Sequence, residues 1–130
     1  MVNPPRQARR QGFTLVELMV VMAIVALLLA IALPRYFGHL DRARETVLRQ
    51  DLATMRDAID KYHGDRGRYP DSLQALVDAR YLRAVPVDPV TDRSDTWQAV
   101  APEDSETGAM YDVKSGAPGT ARDGTAYADW

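Results

Sequence analysis

A single carboxylate, Glu17, lies near the start of an otherwise apolar run that extends from Phe13 to Leu33. An ionised side chain at that depth in lipid costs at least a few kcal/mol, and residues of this kind are usually retained for function. Glu17 is therefore the first candidate functional residue of the chain.

Other residues that could do chemistry form no recognisable catalytic set. His39 and His63 are 24 residues apart on a predicted helix, about 36 Å along its axis, so they cannot share a site within one subunit. The chain has no cysteine. Its serines, none in a nucleophile-elbow context, are Ser72, Ser94, Ser105 and Ser115. We therefore expect no catalytic residues and no enzymatic activity.

The apolar run is long enough to cross a membrane once. Its 21 residues, 13–33, would span about 31 Å as a helix, close to the thickness of a bilayer's hydrocarbon core. An ordinary secretory signal has a shorter apolar core of about 7 to 15 residues, so we expect this run to be retained. Arg6, Arg9 and Arg10 precede it without any acidic residue, which predicts a cytoplasmic N-terminus and an extracytoplasmic remainder.

The composition of the remainder excludes some classes of partner. Without the three leader arginines, 13 basic side chains face 18 acidic ones, a net side-chain charge of −5. This balance does not favour nucleic-acid binding. Residues 34–130 form one predicted globular domain, which is small and, lacking cysteine, has no disulfide to stabilise it.

Helical periodicity continues beyond the apolar run. Apolar residues spaced by three and four positions predict one buried face, formed by Leu48, Leu52, Met55, Ile59 and Tyr62. Pro34 interrupts the pattern, but a proline can kink a helix instead of ending it. We predict one long, bent helix from about Phe13 to about His63, ended by the segment from Gly64 to Gly67.

The rest of the chain predicts a short helix and a small sheet. Asp71 or Ser72 is suited to cap an amphipathic helix. Two segments rich in aromatic and β-branched residues, 96–101 and 109–115, read as an antiparallel hairpin. The predicted fold is therefore α+β, with the amphipathic half of the long helix packed on a small antiparallel sheet.

Several motifs resemble those of a known superfamily. The sequence "GFTLVE" (residues 12–17), with a basic leader before it and about twenty apolar residues after it, resembles the leader and first helix of type IV pilins and pseudopilins. The later segments "RYP", "YLRAVPVDP", "YDVKSG", "DG" and "DW" resemble the major pseudopilin, the G subunit of the type II secretion system. The resemblance implies the type IV pilin-like fold.

The resemblance also implies how the N-terminus is processed. A prepilin peptidase is expected to cut between Gly12 and Phe13, removing the leader 1–12, and to methylate the new amine of Phe13. Cleavage leaves an ammonium at an electropositive helix N-terminus, and a carboxylate reduces the cost of burying it. In the superfamily the partner amine belongs to the neighbouring subunit, so Glu17 is expected to set the register of assembly.

Calcium is the cofactor that the resemblance implies. Major pseudopilins bind calcium in the loop before their last strand, and the corresponding region is about 115–129. The expected ligands are the carboxylates of Asp123 and Asp129, a carbonyl or hydroxyl oxygen of Ser115, and backbone carbonyls of the Gly-rich loop. The superfamily usually has adjacent acidic residues shortly before the final tryptophan, whereas this chain has Thr125 and Ala126. The alternative is a segment held only by the packing of its aromatic residues.

Three functions remain open at this stage. The first is a structural subunit of the type II secretion pseudopilus, rooted in the bacterial inner membrane with its domain in the periplasm, that drives export of folded proteins. Its expected partners are further copies of itself, minor pseudopilins, the prepilin peptidase and the inner-membrane secretion platform. The second is a type IV pilin for adhesion, motility or DNA uptake. The third, a membrane-tethered enzyme or binding module, lacks any supporting constellation of residues.

Overall fold

The computed structural model describes residues 2–5 and 12–130. Within this part of the chain the regular elements, in order, are helix α1 (Leu15–Arg66), helix α2 (Leu73–Asp78), strand β1 (Gln98–Val100) and strand β2 (Asp112–Lys114). Two 3₁₀ helices span Ser105–Thr107 and Tyr127–Asp129. A long N-terminal helix packed on a small antiparallel sheet confirms the predicted α+β, pilin-like fold.

Helix α1 is 52 residues long and continues through Pro34. It ends at Arg66, where Gly67 takes a left-handed φ of 70° and donates its N–H to the carbonyl of His63 at 2.8 Å. Glycine adopts this conformation at little cost, which is why it commonly follows a helix. The predicted end of the helix, in the segment from Gly64 to Gly67, is confirmed.

The chain divides between Gly38 and His39 into two units. In the first unit every described side chain is exposed, including the whole run 13–33. The helix in this unit is long and apolar enough to cross a membrane. An apolar surface of this extent needs lipid or other apolar helices around it. The predicted boundary between 13–33 and 34–130 stays a prediction.

The core of the second unit forms around the predicted face of α1. Its largest fully buried apolar side chains come from α1, α2, β2 and the connection before β2. They are Leu48, Leu52, Met55, Ile59, Leu76, Met110 and Val113. Tyr62, also predicted on this face, packs against the core while partly exposed. The periodicity that predicted a buried helix face is therefore confirmed.

The short helix and the hairpin cover this face. Ser72 caps α2, its hydroxyl accepting a hydrogen bond from the N–H of Ala75 at 3.1 Å. Strands β1 and β2 pair antiparallel with Ala99 opposite Val113. The strands are shorter than the predicted segments; at the start of the second segment, for example, the N–H of Met110 donates to the carbonyl of Pro70 instead of to the partner strand.

Glycine at position 116 is required by a close approach between segments. A Cβ added there would collide with the carbonyl oxygen of Thr96, whereas a Cβ at Gly64, inside α1, would meet nothing within 4 Å. We expect Gly116→Ala to lower the free energy of unfolding by about 1–3 kcal/mol. The control Gly64→Ala should raise it by about 0.5–1 kcal/mol. Denaturation of the full-length variants in detergent tests this, and equal stabilities would contradict it.

Candidate assembly and ion-binding sites

The predicted processing site lies in irregular backbone just before α1. Gly12 and Phe13 have no regular secondary structure, and the Phe13 side chain is 84% exposed. Nothing lies within 4 Å of the position that a Cβ at Gly12 would take. The leader arginines Arg6, Arg9 and Arg10 lie outside the described residues. Within the described part of the chain, the bond between Gly12 and Phe13 is thus open to another molecule.

Thr14 and Glu17 form reciprocal hydrogen bonds where α1 begins. The backbone N–H of Glu17 donates to Thr14 Oγ1 at 3.1 Å, and the N–H of Thr14 donates to Glu17 Oε2 at 3.5 Å. This T-x-x-E capping box satisfies two of the N–H groups that a helix leaves without partners in its first turn. The first turn also favours a negative charge through the helix dipole. Glu17 therefore stabilises the start of its own helix.

The capping hydrogen bond uses only part of the acceptor capacity of the Glu17 carboxylate. An ionised carboxylate has about four acceptor positions on its two oxygens, and the capping bond occupies one of them. Glu17 can therefore cap its own helix and still accept a charged hydrogen bond from a second chain. Its pairing with the Phe13 amine of a neighbouring subunit stays a prediction.

The two histidines have separate surroundings. His39 is exposed, whereas the ring of His63 stacks on Tyr69 with their centroids 4.1 Å apart. Across residues 2–5 and 12–130, no group of three or more His, Asp or Glu side chains is arranged to hold a metal ion. His63 thus makes an aromatic packing contact with Tyr69.

The region predicted to bind calcium forms a small hairpin. Residues 120–126, which we call the Asp123 hairpin, pair antiparallel at their two ends. The N–H of Ala121 donates to the Thr125 carbonyl at 2.7 Å, and the N–H of Gly124 donates to the Ala121 carbonyl at 3.0 Å. Gly124 supplies the turn with a φ of 88°. Backbone hydrogen bonds of its own thus contribute to the order of this segment.

The carboxylate of Asp123 has donors on both oxygens. Its Oδ1 accepts from the N–H of Thr125 at 3.0 Å and from the Thr125 hydroxyl at 2.6 Å. Its Oδ2 lies 3.4 Å from Nη2 of Arg49 on α1. The hydrogen bonds from Thr125, and then the positive charge of Arg49, hold the pKa of Asp123 below its usual value. Asp123 is therefore ionised at neutral pH.

Trp130 connects this carboxylate to the helix. The guanidinium carbon of Arg49 lies 3.9 Å from the centroid of the Trp130 ring, a cation–π geometry. The indole N–H of Trp130 donates to Thr125 Oγ1 at 2.7 Å, and Arg56 donates from Nη2 to the Trp130 carbonyl at 2.7 Å. Together these side chains form one polar network between α1 and the Asp123 hairpin.

The other two predicted calcium ligands are separated from each other. Asp129 is exposed and lines the same surface groove as Asp123. Ser115 is fully buried, and its hydroxyl donates to Oδ2 of Asp88 at 2.8 Å. The structure thus brings Asp123 and Asp129 to one groove and commits the hydroxyl of Ser115 to another cluster.

Asp88, the partner of Ser115, is itself fully buried. Its Oδ1 accepts from the N–H of Val90 at 2.8 Å. Buried carboxylates need such donors, because burial without them is costly. Burial, and then the like charge of Asp88, raise the pKa of Asp51 on α1. This cluster holds the connection after α2 against β2.

As they stand, the side chains of the Asp123 groove do not fit a calcium ion. Calcium takes about six to eight oxygen ligands. The carboxylates that line the groove are those of Asp123 and Asp129, and the first is already engaged by Thr125 and Arg49, so backbone carbonyls and water would have to supply most of the ligands. The fixed charge of Arg49 also repels a cation placed beside Asp123. Calcium binding stays a prediction that a binding measurement must decide.

Four residues of these sites were missed by the sequence analysis: Thr14, Arg49, Arg56 and Asp88. The T-x-x-E spacing is a readable capping signal, and an aspartate before proline is a known turn signal. Arg49 and Arg56 lie seven positions apart on one face of α1. Their acidic partners lie 74 and 56 positions away, so no local pattern predicts the contacts.

Two family models match this chain. The model described as "Prokaryotic N-terminal methylation motif" matches residues 7–33. The model described as "Type II secretion system (T2SS), protein G" matches residues 35–128. No solved structure matches the chain.

Individual relatives are similar along much of their length. Type II secretion system core protein G of Klebsiella michiganensis is 31% identical over 132 residues, covering 88% of this chain and 91% of that protein. The protein of the same name from Pseudomonas aeruginosa is 36% identical over 100 residues, covering 64% and 70%. Fimbrial protein EcpC of Eikenella corrodens is 34% identical over 83 residues, covering 60% and 54%.

The contacts of Arg56 predict an unusually large effect for a half-exposed side chain. Arg56 donates to Asp112 Oδ1 at 2.8 Å, to the Val113 carbonyl at 2.9 Å and to the Trp130 carbonyl at 2.7 Å. We expect Arg56→Met, which keeps the apolar stem, to lower the free energy of unfolding by about 1–3 kcal/mol. The control Lys61→Met, which breaks only an exposed pair, should leave it nearly unchanged. Equal losses in chemical denaturation would contradict this.

Proposed function

The chain belongs to the protein G family of the type II secretion system. On that basis we propose how each of its two units contributes to a filament. It is a structural subunit of the pseudopilus, which polymerises through its N-terminal helix to drive the export of folded proteins. The observation that supports this function most directly is the match of the protein G family model to residues 35–128. The methylation motif at 7–33 precedes it without overlap.

The exposed apolar surface of the first unit supports assembly through the helix. Large apolar side chains along the run 13–33 are each 42% to 84% exposed. Such a surface is stable in lipid, and it is equally suited to packing against the same segment of other subunits. We assign this unit to membrane insertion before assembly and to subunit packing afterwards.

The pilus alternative is the weaker of the two filament functions. It is supported by the similarity to fimbrial protein EcpC, which covers 54% of that protein. The core protein G relative from Klebsiella michiganensis is covered over 91% of its length. The similarity to the secretion protein therefore extends through the second unit, where subunits of different filaments need different surfaces.

The chain is a membrane-associated protein, and we propose a specific topology for it. A cluster of leader arginines before an apolar run favours a cytoplasmic N-terminus. One crossing of the bacterial inner membrane by residues 13–33 then leaves residues 34–130 in the periplasm. The partners proposed with this topology are further copies of the chain, minor pseudopilins, the prepilin peptidase and the inner-membrane secretion platform.

We propose that a prepilin peptidase cuts between Gly12 and Phe13 and methylates the new amine. The methylation motif at 7–33 contains both residues, and the open surroundings of Gly12 leave room for an enzyme. The ammonium that cleavage creates on Phe13 is the natural partner of Glu17 in the next subunit. Their pairing would neutralise two charges that are costly to bury separately.

Processing is tested first. We expect Gly12→Leu to leave full-length, unassembled protein in the membrane, because the peptidase no longer accepts its site. Gly38→Leu is the matched control, since a Cβ there also meets nothing within 4 Å. Intact mass should show that the wild-type mature chain lacks residues 1–12 and carries one methyl group. A retained leader in cells with an active prepilin peptidase would overturn the assignment.

The Glu17 charge is tested by two substitutions that separate pairing from capping. Glu17→Gln keeps an oxygen that can complete the capping box with Thr14 but removes the charge. Glu17→Leu removes both. We expect both variants to insert into the membrane, and neither to form filaments as the only copy in the cell, because neither can pair with the Phe13 amine.

Electron microscopy of sheared filaments, with immunoblots of membranes, gives the readout. Thr14→Val is the control that breaks the hydroxyl half of the capping box and leaves the charge intact; it should still assemble. Wild-type filament levels from Glu17→Gln would show that Glu17 acts as a helix cap alone. That result would refute the proposed ion pair between subunits.

A further inference from the structure

Three charged residues on one face of α1 hold the end of the second unit: two contact the Asp123 hairpin and the third contacts Trp130, which follows it. Glu45 accepts from the N–H of Arg122 at 2.8 Å, and Arg49 pairs with Asp123 at 3.4 Å. Arg56 holds the carbonyl of Trp130 at 2.7 Å. These helix positions are separated by four and seven residues, so they form one stripe along the helix.

We propose that the guanidinium of Arg49 takes the place in this chain that a calcium ion holds in other major pseudopilins, so that the Asp123 hairpin closes without a divalent cation. The proposal goes beyond the filament function and does not depend on assembly. It concerns only how one polar segment of the second unit is held in place.

The first argument is that Arg49 meets the chemical requirements of the missing ion. It supplies a permanent positive charge beside an ionised carboxylate, and an arginine cannot lose that charge at any physiological pH. Its guanidinium carbon also lies over the ring of Trp130, 3.9 Å from the ring centroid. The cation thus joins the carboxylate of the hairpin to the aromatic residue that follows it.

The second argument is that the hairpin already has internal partners. Thr125 donates two hydrogen bonds to Oδ1 of Asp123 and accepts one from the indole of Trp130. The position held by Thr125 is where the resemblance leads one to expect an acidic ligand. A hydroxyl there binds the neighbouring carboxylate, whereas a second carboxylate would repel it unless a metal lay between them.

The third argument concerns competition for Asp123. A calcium ion would need to displace Arg49 from Oδ2 or to bind beside a fixed positive charge. Both options weaken its affinity relative to a site that lacks the arginine. The hydroxyl of Ser115, one of the other predicted ligand atoms, is buried and donates to Asp88, so it is already committed elsewhere.

The experiment measures thermal unfolding of the full-length chain in detergent, by tryptophan fluorescence, in chelator and in millimolar calcium. We expect the wild-type melting temperature to be the same in both conditions. Arg49→Gln should lower it by about 4–8 °C in both, which corresponds to roughly 1 kcal/mol for a domain of this size. Lys61→Gln, which breaks the exposed pair with Asp57, should shift it by less than about 2 °C.

A second variant keeps the test decisive if Arg49→Gln does not fold. Arg49→Lys retains the charge but not the planar group that stacks on Trp130, and it should melt between wild type and Arg49→Gln. Calorimetric titration of wild type with calcium should show no binding at micromolar concentrations. A melting temperature that falls in chelator, or an Arg49→Lys variant as stable as wild type, would overturn the proposal.

Discussion

The second unit of this chain depends on the burial of one face of α1. Its two strands have three residues each, and a two-stranded hairpin alone is at best marginally stable in water. The helix supplies the missing apolar area through side chains such as Leu52, Met55 and Ile59, each at most 2% exposed. Full burial of each contributes about 1.5–3 kcal/mol. Without this face, the sheet and α2 would lose most of the apolar core on which they pack.

Burial of that face also determines where the polar residues of α1 point. Once the apolar side chains meet the sheet, the adjacent stripe that contains Glu45, Arg49 and Arg56 must face the segment that follows β2. The Asp123 hairpin is therefore attached through charges whose placement the core has already set. This order of dependence explains why a polar segment with little apolar surface of its own is ordered.

The sequence predicted the features that follow from local patterns. Spacings of three and four positions identified the buried helix face, and Gly67 marked the end of the helix. The hairpin strands were placed correctly but too long, and at the start of the second one a competing bond from Met110 to Pro70 joins distant segments. The same limit hid the role of Arg49, whose acidic partner is 74 positions away. Thr14 and Asp88 differ from Arg49 in this respect, because the T-x-x-E spacing and the Asp-Pro pair are local signals that a sequence can show.

The uniformly exposed apolar surface of residues 13–33 has a thermodynamic consequence for filament growth. A subunit leaving the bilayer exchanges contacts with lipid tails for contacts with neighbouring helices, and both surroundings are about equally apolar. The hydrophobic effect therefore provides little net driving force for that transfer. In the assembly we propose, the balance between free subunit and filament then rests on terms that differ between the two environments, among them close helix packing and the pairing of Glu17. If Glu17 pairs as we propose, a single ionisable group would govern the direction of an equilibrium in which about twenty apolar residues take part.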